Sequence, residues 1–121
     1  GYDVSLPIGD LGHFVDELQS ALRQRFPPCE HVHFGHVGDS NIHVGVHVAA
    51  AHGPFPEAEI DACVYGVLRR YGGSVSAEHG IGQHKKAYLG HSRTPQELAL
   101  MHTLKKALDP HKLLNPGKVL A

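Results

Sequence analysis

Two histidines flank a short turn-rich segment, and an acidic residue stands further along the chain. His36 and His43 are separated by Val37-Gly38-Asp39-Ser40-Asn41-Ile42, and Glu78 opens the segment Glu78-His79-Gly80-Ile81-Gly82. A tight connection between adjacent antiparallel strands brings its two ends together, so both imidazoles would lie close to each other. Two imidazoles and one carboxylate suit zinc or another divalent first-row metal with a position left open for substrate. The spacing leaves two interpretations open: a metal site, or loop histidines and a solvated acid in a His-rich chain.

The segment that begins with Glu78 also contains a candidate catalytic residue. A histidine next to glycines at the end of a strand suits close approach of a small molecule, and His79 there could act as a general base near neutral pH. The alternative is a turn in which Gly80 and Gly82 only satisfy backbone angles. Both interpretations stand on the residues alone.

Composition narrows the classes of partner and the compartment. The 121 residues carry 11 Lys and Arg against 12 Asp and Glu, with 12 His, so no basic excess points to nucleic acid or to an anionic membrane surface. No apolar run is long enough to span a membrane. Cys29 and Cys63 form no Cys-x-x-Cys, which argues against a disulfide framework and against a thiolate zinc site. We expect a reducing compartment, either the cytoplasm or, in a eukaryote, the mitochondrial matrix.

Apolar periodicity predicts the elements that must position these residues. Period-two alternation predicts strands, and the i, i+3, i+4, i+7 spacing predicts helices. In chain order these are a strand over 2–6, a helix capped by Asp10 that ends before Pro27, strands over 31–36 and 42–48, a helix over 60–71, and a short strand over 74–77. The order β-α-β-β-α-β predicts an α+β, ferredoxin-like fold with an antiparallel sheet and both helices on one face.

The same patterns predict which side chains face solvent. Val32 and Phe34 form one stripe of their strand, so His31, His33 and His47 are expected to face solvent or a partner surface. Thr94 with Pro95 and Glu97 predicts a capped C-terminal helix that stops at Asp109-Pro110, followed by a turn in the tail.

Three segments in this order resemble the C-terminal domain of the FAD-linked 2-hydroxyacid dehydrogenases and oxidases of the vanillyl-alcohol-oxidase type. They are Gly35-His36-Val37-Gly38-Asp39-Ser40-Asn41-Ile42-His43, then Ser76-Ala77-Glu78-His79-Gly80-Ile81-Gly82 with Lys85, then Ala107-Leu108-Asp109-Pro110 continuing to Asn115-Pro116-Gly117-Lys118. The resemblance implies that residues 1–121 are one substrate- and metal-binding domain of a larger flavoenzyme. The chain begins with Gly1 rather than Met, and we expect it to be part of a longer polypeptide.

The resemblance also implies roles for individual residues. His36, His43 and Glu78 would hold a divalent metal, with zinc expected, and His79 would take the proton from the substrate hydroxyl. Asn115 would contact the flavin, and Asn41 and Lys85 would bind substrate. FAD would be held mainly by an N-terminal FAD-binding domain of the same polypeptide, so the 121 residues alone are expected to be inactive. The implied substrate is a 2-hydroxy acid of the D-lactate, glycolate or D-2-hydroxyglutarate type, oxidised to the 2-oxo acid by hydride transfer to the flavin.

Two positions depart from the family pattern. Ser40 stands where a second glycine is usual, and Gly45 stands two residues after His43, where some members carry a side chain that faces the substrate. The electron acceptor and the particular acid stay open. The alternative function is a free-standing ferredoxin-like module that binds a divalent metal, although such carriers commonly use a cysteine pair. A metal-dependent hydrolase would leave Asn115-Pro116-Gly117-Lys118 without a role.

Overall fold

Three antiparallel strands form the sheet of the chain. In the computed structural model, which describes residues 1–120, these strands are β1 (Tyr2–Ser5), β2 (Cys29–Phe34) and β3 (Asn41–Val48), in the order β1-β3-β2. The register pairs Asp3 with His43 on one side of β3 and Phe34 with His43 on the other. Residues paired across strands project from the same face, so these three side chains share one face of the sheet.

Two helices cover the opposite face. They are α1 (Leu11–Arg25) and α2 (Glu57–Arg70), as the apolar spacing predicted. Their buried stripes join Val4 and Val44 of the sheet in one hydrophobic core; the helical members with no exposed area are Phe14, Leu18, Leu22, Ile60, Val64 and Leu68. Fully burying one such side chain contributes roughly 1.5–3 kcal/mol, so this core fixes the sheet and leaves its other face open for a site.

The α+β architecture is confirmed, but the fourth strand is almost absent. The predicted strand over 74–77 is reduced to a single antiparallel bridge on the free edge of β1, where Ser5 and Ser74 exchange backbone hydrogen bonds of 3.2 and 2.7 Å. After the bridge, the N–H of Ala77 still donates to the backbone carbonyl of Asp3 at 3.2 Å, but the N–H groups of residues 77–79 also turn toward the carboxylate of Asp3, and those of Glu78 and His79 donate to it rather than to the backbone of β1. The strand therefore ends where the candidate site begins.

The assignment of faces in β2 was wrong. Val32 and Phe34 are exposed on the open face, whereas His31 and His33 lie on the helix-covered side and are partly buried. The rings of these two histidines share a hydrogen bond of 3.1 Å between Nδ1 of His31 and Nε2 of His33, and burial lowers the pKa of both. His47 is exposed, as predicted.

The C-terminal helix is α3 (Pro95–Leu108), and its predicted capping box is present. Thr94 accepts from the N–H of Glu97 at 3.1 Å, and the carboxylate of Glu97 accepts from the N–H of Thr94 at 2.7 Å. By contrast, Asp10 makes no side-chain capping bond, because a 3-10 turn over Ile8–Asp10 leads directly into α1. Among the described residues, no helix has the length and apolar character needed to cross a membrane.

Asp109 fixes the tail that follows α3. Its carboxylate accepts from the N–H groups of Leu113 and Leu114 at 2.8 and 3.0 Å and from Nζ of Lys105 at 2.5 Å. The bond from Lys105 is the largest cause of a lowered pKa of Asp109, with the two backbone donors adding to it. The tail that carries Asn115 therefore starts from a fixed point.

The substitution Asp109→Asn should lower the free energy of unfolding at pH 7. Because the folded-state pKa of Asp109 is lowered, its contribution is present above the unfolded-state pKa and is lost as pH falls through the folded-state pKa. The difference between wild type and variant should therefore shrink in acid, as measured by chemical denaturation at several pH values. Asp16→Asn, at an exposed position of α1, is the control and should show neither effect. A difference that persists unchanged in acid would contradict this role of the carboxylate.

Candidate metal centre

The loop between β2 and β3 holds His36 close to the start of β3. The backbone carbonyl oxygen of His36 accepts hydrogen bonds from the N–H groups of Asp39 and Asn41 at 2.8 and 3.2 Å. A Cβ at Gly35 would come within 2.8 Å of the carbonyl oxygen of Asn41, so only glycine allows this approach. Ser40, at the position where the family pattern has glycine, adopts the left-handed conformation that glycine prefers, with φ 60°. The turn thus keeps a glycine-like backbone without the glycine.

Glu78 meets this loop from the far side of β1. Nδ1 of His36 donates to Oε1 of Glu78 at 2.9 Å, and the side-chain amide of Asn41 donates to the same oxygen. Asn41 is buried, whereas His36 and Glu78 are exposed at the opening. The hydrogen bond with Glu78 raises the pKa of His36. The pKa of Glu78 is lowered, mainly by the bond with His36, then by Asn41 and by the nearby charge of His43.

Asp3 anchors the segment that carries Glu78 and His79. The residue has 0 % exposed area, and its Oδ2 accepts from the N–H groups of Ala77, Glu78 and His79 at 3.1, 2.7 and 2.8 Å. Burial alone would raise the pKa of Asp3, but the N–H groups of His79 and Glu78 and the charges of His79 and Lys85 outweigh it and lower the pKa. Gly80, with φ 80°, then turns the chain away.

His43 and His79 lie beside this carboxylate. Nδ1 of His43 is 3.8 Å from Oδ1 of Asp3, and Nδ1 of His79 is 3.9 Å from Oδ2. The two imidazole rings stack with centroids 5.5 Å apart, and the ring of Phe34 lies 5.2 Å from His43 on the exposed face. The side chain of His43 is 17 % exposed and that of His79 is 63 % exposed. His43 is therefore held in place, while His79 is open to an incoming molecule.

The structure gathers the candidate residues into two overlapping groups around His43. In one group, His36 and Glu78 are in contact and His43 is close enough to affect the pKa of Glu78. In the other, Asp3, His43 and His79 each offer a ligand atom within 4.8 Å of the others. Sequence reasoning missed Asp3. The signal was its place on the polar side of the β1 alternation, on the face away from Val4.

Two further predicted residues lie apart from the histidines. Nζ of Lys85 donates to Oγ of Ser76 at 3.1 Å, and burial lowers the pKa of Lys85 although the charge of Asp3 opposes this. Asn115 lines a hollow of about 600 Å³ between the tail and α3, together with Gly82, Met101 and Leu104. The N–H of Val119 donates to the carbonyl of Gly82 at 2.7 Å, so this hollow adjoins the end of the Glu78 segment.

The residues present fit a divalent metal. Oδ1 of Asp3 and the side-chain oxygen of Asn41 are buried acceptors without a hydrogen-bond partner in the described part of the chain. Such unpaired acceptors are rare in folded proteins and indicate an ordered water, an ion or a directed N–H close to these atoms. Imidazole nitrogens and carboxylate oxygens are the donors that zinc and related ions take in open, substrate-accepting sites.

Comparison with known proteins identifies the family of this chain. Residues 1–119 match the family described as FAD linked oxidases, C-terminal domain. Proteins named D-2-hydroxyglutarate dehydrogenase are similar over nearly the whole chain. One from Xanthomonas citri pv. viticola is 43 % identical over 97 % of this chain and 26 % of its own length. One from Stutzerimonas stutzeri is 36 % identical over 98 % and 26 %. A mitochondrial one from Bos taurus is 42 % identical over 98 % and 21 %. This chain spans about a quarter of the length of these curated relatives. It belongs to the family of FAD-linked oxidase C-terminal domains.

Proposed function

We propose that this chain is the substrate- and metal-binding part of an FAD-dependent oxidoreductase that converts a 2-hydroxy acid to the 2-oxo acid. The observation that carries the proposal is the convergence of His36, His43, Glu78 and His79 on one open face of the sheet. The names of the relatives make D-2-hydroxyglutarate a first substrate to test.

His36, His43 and Glu78 are the proposed ligands of a divalent metal, with zinc as the first candidate. A bound metal would polarise the substrate hydroxyl and lower its pKa. Glu78 supplies the negative charge at the opening, and its pKa is lowered mainly by the hydrogen bond with His36. The amide of Asn41 donates to the carboxylate of Glu78 and so fixes its orientation, and the role of Asn41 in binding substrate stays a prediction.

His79 is the proposed general base. Its side chain is the most open of the residues near Asp3, and it stacks on His43, so a hydroxyl held next to His43 would lie within its reach. The positive charge of Lys85 lowers the pKa of Asp3, and Lys85 is proposed to attract the carboxylate of the substrate. FAD would supply the acceptor for the hydride that leaves carbon 2.

The flavin is proposed to sit on a separate FAD-binding domain of the same polypeptide. One side of α3 supports such an interface, because Leu100, Leu104 and Leu108 lie at i, i+4, i+8 and are 59, 52 and 81 % exposed. Exposed apolar patches of this kind mark surfaces that another domain or protein covers. Asn115, beside this helix, is proposed to reach the flavin from the tail.

The proposed compartment is a reducing one. Cys29 and Cys63 are both buried free thiols, and burial raises the pKa of Cys29, which keeps it in the unreactive thiol form. The Bos taurus relative is named as mitochondrial.

Separate substitutions of Glu78 and His79 should affect metal binding and turnover differently in the full-length flavoprotein. Glu78→Gln removes a charged ligand and should weaken metal binding. His79→Ala should leave the metal bound and lower kcat on the order of a hundredfold or more, the usual contribution of a general base. Metal content by elemental analysis and flavin reduction by D-2-hydroxyglutarate measure the two effects.

His13→Ala, on an exposed position of α1, is the matched control and should change neither quantity. Loss of the metal in His79→Ala with full retention in Glu78→Gln would reverse the assignment of ligand and base.

A charged residue among the exposed leucines of α3 should destabilise the full-length protein more than the 121-residue chain. Leu100→Asp should lower the unfolding temperature and the flavin content of the full-length protein, while it changes the stability of the isolated chain by no more than about 0.5 kcal/mol. Thr103→Asp, also exposed on α3, is the control. Equal effects of the two substitutions on the full-length protein would show that the leucines are not covered there.

A further inference from the structure

Asp3 contacts two different parts of the site through its two carboxylate oxygens. Oδ2 accepts three backbone N–H groups, of Ala77, Glu78 and His79, and a longer bond of 3.5 Å from the hydroxyl of Ser76. Oδ1 is buried, accepts no hydrogen bond from residues 1–120, and faces Nδ1 of His43, the residue paired with Asp3 across the sheet. A buried carboxylate oxygen without a donor is costly, so a polarised N–H directed at it is favoured.

Each imidazole turns Nδ1 toward this carboxylate. The separations of 3.8 Å for His43 and 3.9 Å for His79 exceed a hydrogen bond, but a neighbouring negative charge still favours the tautomer that carries its proton on Nδ1. The lone pair is then on Nε2, the atom farther from Asp3.

The rings have limited freedom to choose another arrangement. His43 is mostly buried, and its ring contacts both Phe34 and His79. A fixed ring with a defined tautomer is what a metal ligand needs, and an orienting carboxylate is the usual device for it.

We propose that Asp3 is a positioning residue that sets the tautomers of both His43 and His79, so that one carboxylate orients the metal ligand and the base together. What the two Nε2 atoms do rests on the proposed function, whereas the tautomers themselves do not depend on it. The same side chain thus anchors the backbone of residues 77–79 and determines which nitrogen carries the proton in the two imidazole rings.

The substitution Asp3→Asn separates this role from a structural one. The carbonyl oxygen of Asn can still accept the three backbone N–H groups, so the turn keeps its anchor. The amide NH₂ then replaces Oδ1 and donates toward Nδ1 of His43. The proton of His43 should move to Nε2, while His79, which faces the retained oxygen, should keep its proton on Nδ1.

The measurement is ¹⁵N NMR of the histidine side chains in the metal-free 121-residue chain, about two pH units above the ordinary imidazole pKa. In wild type, both His43 and His79 should carry the proton on Nδ1. In Asp3→Asn, only His43 should switch. Asp39→Asn, an isosteric change in the His36 loop, should switch neither ring. An Nε2–H tautomer at His43 in the wild type would overturn the proposal even if the variant does not fold, and so would an unchanged His43 in a folded variant.

Zinc titration of the same two proteins tests the consequence. Asp3→Asn should weaken zinc binding by about 10- to 100-fold, the usual effect of losing an orienting partner of a ligand histidine. Unchanged zinc affinity with a switched tautomer would overturn the link from Asp3 to the ligand. If wild type binds no zinc, the metal part of the proposed function fails, and the tautomers alone decide on Asp3.

Discussion

The carboxylate of Asp3 is buried in the sheet and accepts three successive backbone N–H groups from residues 77–79. A carboxylate bonded to several backbone donors is among the stronger interactions in proteins, and removing it would leave the N–H groups of Glu78 and His79 without this partner. This interaction determines where Glu78 and His79 lie. It also explains why the chain leaves the edge of β1 soon after the bridge at Ser74, since the N–H groups of Glu78 and His79 donate to the side chain of Asp3 and not to the backbone of β1.

The helix-covered core makes this arrangement possible. Packing of α1 and α2 against Val4 and Val44 fixes the register of the strands, and the register places Asp3 and Phe34 on either side of His43. A shift by one residue would move every side chain of a strand to the other face, so the site depends on apolar contacts on the side of the sheet that it does not use. The site and the core lie on opposite faces of the same three strands.

Much of the fold follows from local patterns. The α1 and α2 spacings and the Thr94–Glu97 capping box predicted helices within a few residues, because one amphipathic stripe and a few cap contacts determine each of them.

The face of β2 could not be predicted in the same way. Alternation shows that Val32 and His33 lie on opposite faces, but only the pairing of His33 with Val44 shows which face is covered. The burial of Asp3 could not be predicted either. The alternation in β1 places its side chain on the open face, but its burial depends on residues more than seventy positions away. The spacing already suggested that His36, His43 and Glu78 belong together, but it left loop histidines and a solvated acid as the alternative, and the family motifs favoured the metal site.

The central claim is that His36, His43 and Glu78 hold a metal while Asp3 and His79 stay outside the coordination shell. Crystals of the chain grown with zinc, measured at the zinc absorption edge, test it most directly. The account predicts one anomalous peak about 2.0–2.2 Å from a nitrogen of His36, a nitrogen of His43 and a carboxylate oxygen of Glu78. A peak bound by Asp3, His43 and His79, or no peak among these five residues, would contradict it.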